Sequence, residues 1–253
     1  MPNNYGYQNE NDFVLLFDDK FLDELDSNSQ NFLKDLFGDV IDSNEKIHAW
    51  KNKMVQKADI FIKYKNYAKG VSIKCGKGNS IHHENIQEFR RYLENLGIPY
   101  RTIDKYVSYH YGYKKDENGK TDFSVQLNSE EYKLLYQSEL DIFNQAVNQT
   151  RIVVDMIDRF IIRGRNCDYD IDALICGTIE DYVWIKKYDI YDLILSKRSW
   201  EYTSPHISCL TIGPKNRNME HNPKLSQGRF LVCIRWNFIK EMIIEFKKDL
   251  AKK

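Results

Sequence analysis

Asp59 and Lys74 are the residues whose types and spacing point most directly to chemistry. They lie in the stretch 57–91, KADIFIKYKNYAKGVSIKCGKGNSIHHENIQEFRR. Asp59 opens an apolar-alternating run, and a turn around Asn66 and Gly70 follows. A second run, Val71–Lys74, ends in the glycine-broken segment Cys75-Gly76-Lys77-Gly78-Asn79. Alternation of this kind predicts two paired strands. Ser80 is read as opening a helix to about Leu96, with Ile86, Phe89 and Leu93 on one face and Glu84, Gln87 and Arg91 on another. Hydrolysis of a phosphodiester needs a metal to polarise the phosphate, an activated water, and positive charge for the pentacovalent phosphate. A carboxylate at a strand end can ligate Mg²⁺, a hard ion that takes oxygen ligands and keeps several waters. A lysine reaching the same point from the next strand can orient water or neutralise charge.

Other constellations fit less well. Gly76-Lys77-Gly78-Asn79-Ser80 does not match the GxxxxGK[ST] phosphate loop, because no Lys-Ser or Lys-Thr follows the second glycine. His82-His83-Glu84 is not HExxH, so a zinc protease site is not expected. Asp18, Asp19, Asp23 and Glu24 read as a solvated helical face. Asp172 and Lys186, with Asp168 and Asp170 nearby, repeat the arrangement of an acid on one strand and a lysine on the next, and form a second candidate pair.

Asp59 together with Ser72-Ile73-Lys74 on the next strand resembles the signature of the restriction-endonuclease-like, PD-(D/E)XK nuclease superfamily. The resemblance covers roughly residues 43–113. It implies a core of a helix, three antiparallel strands, a helix and a further strand. It also implies one or two Mg²⁺ ions and double-stranded DNA cut by a homodimer. Asp59 would be the first acid and a metal ligand, and Lys74 would orient the attacking water. The chain departs from the signature in two places: Ser72 stands where the second acid belongs, and no proline precedes Asp59. Some members carry the second carboxylate on the following helix, which makes Glu84 the second expected metal ligand. Glu45, expected in the first turn of a helix from Ser43 or Asn44 to about Lys57, would be an outer carboxylate. Lys77, Asn79, Ser80, Gln87 and Arg91 are candidate phosphate contacts. Lys215 and Arg217 lie in a long polar loop, 213–228, whose Arg and Asn side chains suit base edges or phosphates.

Composition sets the frame. The 253 residues are 42% apolar and 29% charged, with a formal net charge of zero, as in an ordinary soluble globular protein. The charge is unevenly spread. Acids outnumber bases eleven to two over residues 1–45, whereas bases outnumber acids sixteen to seven over residues 46–120. A basic middle third suits a phosphate backbone. The five cysteines form no CxxC pair, and Cys176, Cys209 and Cys233 sit in apolar runs. That argues for a reducing, cytoplasmic setting. Neither a signal peptide nor a membrane span is expected.

The expected fold is α/β (α+β), with a restriction-endonuclease-like mixed sheet flanked by helices. Three regions are expected: an acidic helical segment at 1–42, a nuclease-like core at 43–127, and a long helix with C-terminal strands and a closing helix at 128–253, packed on the same domain as the core. A hairpin is expected between 106–112 and 122–127, and another between 172–177 and 182–186. The expected function is Mg²⁺-dependent DNA cleavage, as in a type II restriction or phage-defence enzyme. Two alternatives stay open: a non-catalytic nucleic-acid-binding module on a nuclease-like fold, and an RNA-cleaving nuclease.

Overall fold

The computed structural model describes residues 5–54, 56–75, 80–116, 118–165, 169–198, 203–216 and 228–252. The fold is mixed α/β, with helices flanking a mixed sheet. The chain forms two compact units, each drawn from separated segments. The first comprises Met1–Asn79, Ile157–Leu193 and Phe238–Lys253, and the second Ser80–Met156 and Ile194–Asn237. These boundaries differ from those expected after residues 42 and 127.

The first unit holds a five-stranded sheet. Numbered along the whole chain, its strands are β1 (His48–Lys51), β2 (Ile60–Tyr64), β3 (Tyr67–Lys74), β7 (Ala173–Thr178) and β8 (Asp181–Lys186), in the order β1-β2-β3-β7-β8. Only β3 and β7 run parallel; the other neighbours are antiparallel. The second hairpin of the sequence reading, β7–β8, is therefore part of the same sheet as Asp59 and Lys74.

One face of this sheet is covered by α1 (Tyr5–Phe17) and α2 (Ser27–Phe37). Phe13, Phe17, Phe32 and Leu33 pack there with Ile60, Ile62, Val71, Ile73, Ala173, Ile175, Tyr182 and Trp184. The acidic N-terminal helices are thus core elements of the sheet rather than a flanking segment. The break between them ends at Asp26, whose carboxylate caps α2 by accepting the Ser29 N–H at 2.9 Å.

The helix expected from Ser43 to Lys57 is not formed. Ile47 and Ala49 are buried while His48 and Trp50 are exposed, a period of two. The segment is β1, and Trp50 stacks on Phe61 of β2 with ring centroids 5.8 Å apart. Pairing with β2 fixes the alternation, and this overrides the helical reading of Ile47, Trp50, Met54 and Val55. Among the remaining elements, α8 (Ile239–Leu250) packs against β7 and β8. After β8 comes α7 (Lys187–Ser196), whose residues through Leu193 belong to this unit.

The second unit has an antiparallel sheet of β4 (Ser80–Asn85), β11 (Leu231–Trp236), β10 (Leu210–Pro214) and β9 (His206–Ile207), in that order. Its helices are α3 (Ile86–Asn95), α4 (Tyr100–Tyr111), α5 (Ser129–Val147) and α6 (Thr150–Ile157, its last residue in the first unit). A two-stranded hairpin of β5 (Tyr113–Lys115) and β6 (Thr121–Gln126) follows α4. Two expectations are corrected here. Ser80 opens a strand rather than a helix, and residues 100–111 form a helix, so the hairpin begins one element later. Between β5 and β6 the Gly119 N–H donates to the Asp116 carbonyl at 2.9 Å, and the long helix α5 has a side-chain cap. Asn128 accepts from the N–H groups of Glu130 and Glu131, and Glu131 returns a bond to the Asn128 N–H.

Candidate functional site

Asp59 sits immediately before β2, and its backbone is bound on both sides. Its N–H donates to the Val71 carbonyl of β3, and its carbonyl accepts the Asn52 N–H beyond β1, both at 2.9 Å. Ile60 pairs with Val71, so Asp59 lies across from Ser72. Side chains alternate between sheet faces. Ile60, Ile62, Val71 and Ile73 point into the α1–α2 core, so Asp59, Ser72 and Lys74 share the opposite face. The spacing of a strand acid and the second-next residue of the neighbouring strand therefore does bring the two groups together.

Oδ2 of Asp59 accepts the Ser72 hydroxyl at 2.9 Å and the Ile73 N–H at 2.6 Å. The Lys74 ammonium lies 3.5 Å from the same oxygen. That separation is longer than a charge-assisted hydrogen bond of about 2.7–2.9 Å, so the pair is an ion pair with donors of Lys74 left over. Both side chains are about one quarter exposed, at 23% for Asp59 and 27% for Lys74. The pair is accordingly reachable from solvent. Oδ1 of Asp59 accepts no hydrogen bond among the described residues.

Ser72, where a second acid was sought, is 2% exposed and serves as a donor that orients Asp59. Cys176 of β7 lies beside Lys74 in the parallel register. Burial pushes its thiol up to about 11, so it is a neutral neighbour. Two carboxylates escaped the sequence reading. Glu10 of α1 pairs with Lys51 at 2.7 Å, and the charges of Glu10, Lys74 and Asp59 all act on Cys75. Glu241, in the first turn of α8, acts on Cys176. Neither was legible because α1 and α8 are remote in sequence from β3.

The other expected site residues are dispersed. Glu45 is exposed in a bend before β1, not in a helix. Glu84 is in the second unit, on β4 opposite Val232. Its side chain is fully buried, with Oε2 3.6 Å from Nε2 of His82. It is not in a helical first turn; α3 starts at Ile86, capped by Asn85, whose side chain accepts the Gln87 N–H at 2.8 Å. Ser80 joins His83 and Cys233: its hydroxyl is 2.9 Å from His83 Nε2 and 3.3 Å from Cys233 Sγ, and those two lie 3.2 Å apart. Gln87 and Arg91 are exposed on α3, and Lys215 is exposed just past β10. Lys77, Asn79 and Arg217 lie outside the described residues.

The second candidate pair does not converge. Asp172 accepts the Gly70 N–H at 2.9 Å and pairs with Lys69 at 2.9 Å. Lys186 turns to Asp35 of α2 at 3.6 Å. Asp170 is held well below the usual carboxylate range by the Arg163 guanidinium, with Lys187 adding to the effect. These acids fasten the start of β7.

Among the described residues no three His, Cys, Asp or Glu side chains gather as a metal centre. A single solvent-accessible carboxylate such as Asp59 is compatible with Mg²⁺, which is commonly bound through one or two carboxylates plus substrate phosphate oxygens. No known family model matches the chain, and no curated protein matches its sequence.

Proposed function

We propose that the chain is a Mg²⁺-dependent DNA endonuclease of the restriction-endonuclease-like class, with Asp59 and Lys74 at its reaction centre. The observation that carries this reading is the convergence of those two side chains, from adjacent antiparallel strands, on one face of the sheet at 3.5 Å. The sheet order supports it. A helical segment, three antiparallel strands, a long crossover and a strand parallel to the third parallel the core that the resemblance implies.

Mg²⁺, when bound, would polarise the scissile phosphate and lower the pKa of a bound water. Asp59 would hold the ion, its carboxylate kept in place by the Ser72 hydroxyl and the Ile73 N–H. Lys74, tied only loosely to Asp59, orients the attacking water and offsets negative charge as the phosphorus becomes pentacovalent. The water oxygen bonds to phosphorus, the bridging P–O bond breaks, and a proton goes to the leaving oxygen.

The serine at position 72 favours a second reading, a non-catalytic nucleic-acid-binding module in which Asp59 is a structural acceptor. One experiment separates the two. Supercoiled plasmid is incubated with wild type, Asp59→Ala and Lys74→Ala in Mg²⁺ and in EDTA. The nuclease reading expects Mg²⁺-dependent cutting by wild type and a loss of at least about a hundredfold in each variant. Equal cutting by all three removes the site. No cutting of DNA or RNA by wild type favours the binding module, and cutting of RNA alone replaces the substrate.

A further inference from the structure

We propose that α3, the turn 96–99, α4 and the β5–β6 hairpin form a helix-turn-helix module that seats α4 in the major groove of duplex DNA. This goes beyond the reaction centre and shares with it only the choice of duplex DNA as partner.

The helix-turn-helix motif is two helices joined by a turn of three or four residues, often with a glycine, the second helix entering the groove. Here α3 ends at Asn95 and α4 begins at Tyr100. Gly97 takes a left-handed conformation, φ +82°. The Ile98 N–H returns to the Leu93 carbonyl at 3.1 Å and the Gly97 N–H to the Glu94 carbonyl at 2.9 Å, a helix-ending motif that reverses the chain sharply. Ile98 is then buried, and Pro99 accepts the first bonds of α4, from Thr102 and Ile103.

Packing fixes which side of α4 faces out. Thr102, Ile103, Tyr106, Tyr109 and His110 are buried. Tyr106 meets Phe89 of α3 at 5.4 Å and stacks on Phe143 of α5 at 4.9 Å. At about 100° per residue the opposite face carries Arg101, Asp104 and Ser108, with Lys105 at its edge. The one acid in α4, Asp104, is neutralised by Arg90 at 3.2 Å. Arg101 and Lys105 have no ion pair among the described residues. The outward face of α4 thus presents two uncompensated cations in its first half, where such helices touch bases and phosphates.

The hairpin is held beside this helix. Gly112 ends α4 in the left-handed region, and β5 starts at the next residue. Lys115 is clamped to Glu139 of α5, and its N–H donates to the Tyr136 hydroxyl at 2.9 Å. Lys114 and Lys120 are exposed on either side of the hairpin turn and add positive charge to the module.

The test is fluorescence anisotropy with a random-sequence labelled duplex in EDTA, so that no cleavage intervenes. Wild type is compared with Arg101→Ala/Lys105→Ala and with a charge-matched control, Lys53→Ala/Lys248→Ala, on exposed positions of the first unit. The proposal expects wild type to bind, the α4 variant to bind at least about tenfold more weakly, and its salt slope to fall by about two. The control and the conservative Arg101→Lys variant keep wild-type affinity and slope. Equal binding by the α4 variant, equal loss in the control, or no duplex binding by wild type overturns it. Cutting that persists in Asp59→Ala would remove the reaction centre and leave this module standing.

Discussion

At the scale of single residues, Ser72 decides how the Asp59–Lys74 pair is built. Its buried hydroxyl and the Ile73 N–H lock one carboxylate oxygen, and the other accepts no hydrogen bond among the described residues. Ser72→Ala removes one donor and should cost about 1 kcal/mol in denaturant unfolding, with a higher Mg²⁺ requirement for cleavage. Unchanged stability and unchanged Mg²⁺ dependence would show that Ser72 does not orient Asp59. Lys247 makes a separate prediction. It lies over the Trp184 ring, 3.4 Å from the centroid. Burial pushes it from the ordinary 10.5 to about 8, against the pull of Asp35 and Asp189 and with the push of Lys186. Below about pH 8 both states carry the proton, and the cost of the half-buried charge is complete. From about 8 to 10.5 the unfolded chain holds a proton that the folded one has released, so stability rises with pH. The stability of wild type relative to Lys247→Met should therefore climb across that window; a flat difference refutes it. The Asp59–Lys74 pair was legible because strand alternation alone places both on one face. The role of Ser72 was not, because a missing carboxylate reads as an absence until its hydroxyl is seen donating.

At the scale of elements, two glycines separate conformational strain from collision. Gly97 has φ +82° and open space around an added Cβ. Gly97→Ala should cost only about 1–2 kcal/mol, the left-handed penalty for an L-residue. Gly177, near the end of β7 and paired with Tyr182, has φ +130°, and an added Cβ would meet the Asp181 carbonyl at 2.2 Å. Gly177→Ala should exceed about 3 kcal/mol or give no folded protein. Thermal or urea unfolding of both variants checks the order, and equal costs would contradict the geometry. Helices with caps were readable in advance: Asn128 before α5 and Gly97 after α3 carry local signals. Segment 43–57 and Ser80–Asn85 were not, because β1 and β4 owe their conformation to pairing with β2 and β11. In β4 a Ser followed by an acid four residues on imitates a helix start, and only the ladder to β11 contradicts it.

At the scale of the whole molecule, the first unit is assembled from three stretches of chain. Its sheet joins β3 to β7 across a separation from Lys74 to Cys176. No composition shift marks that junction, which is why the division at 42 and 127 did not match the compact units. The pairing also carries a prediction. Residues 1–79 alone contain β1–β3, α1 and α2 but lack β7 and β8. Expressed alone, they should show no cooperative unfolding transition, whereas the full chain does; a sharp transition in the fragment would mean that the three-stranded half is self-sufficient.

The parallel β3–β7 ladder has a consequence for the chain as it is made. About a hundred residues separate the two strands, so at roughly 5–20 residues per second the ribosome delivers β7 some 5–20 s after β3. For that interval the rim of the half-built sheet, including Val71 and Ile73, has no lateral neighbour. Bare rims of this kind recruit strands from other chains. Crowded polysomes are therefore where this protein is most exposed to mispairing, and a trigger-factor-like holdase on the nascent chain should raise its yield more than any chaperone supplied after release.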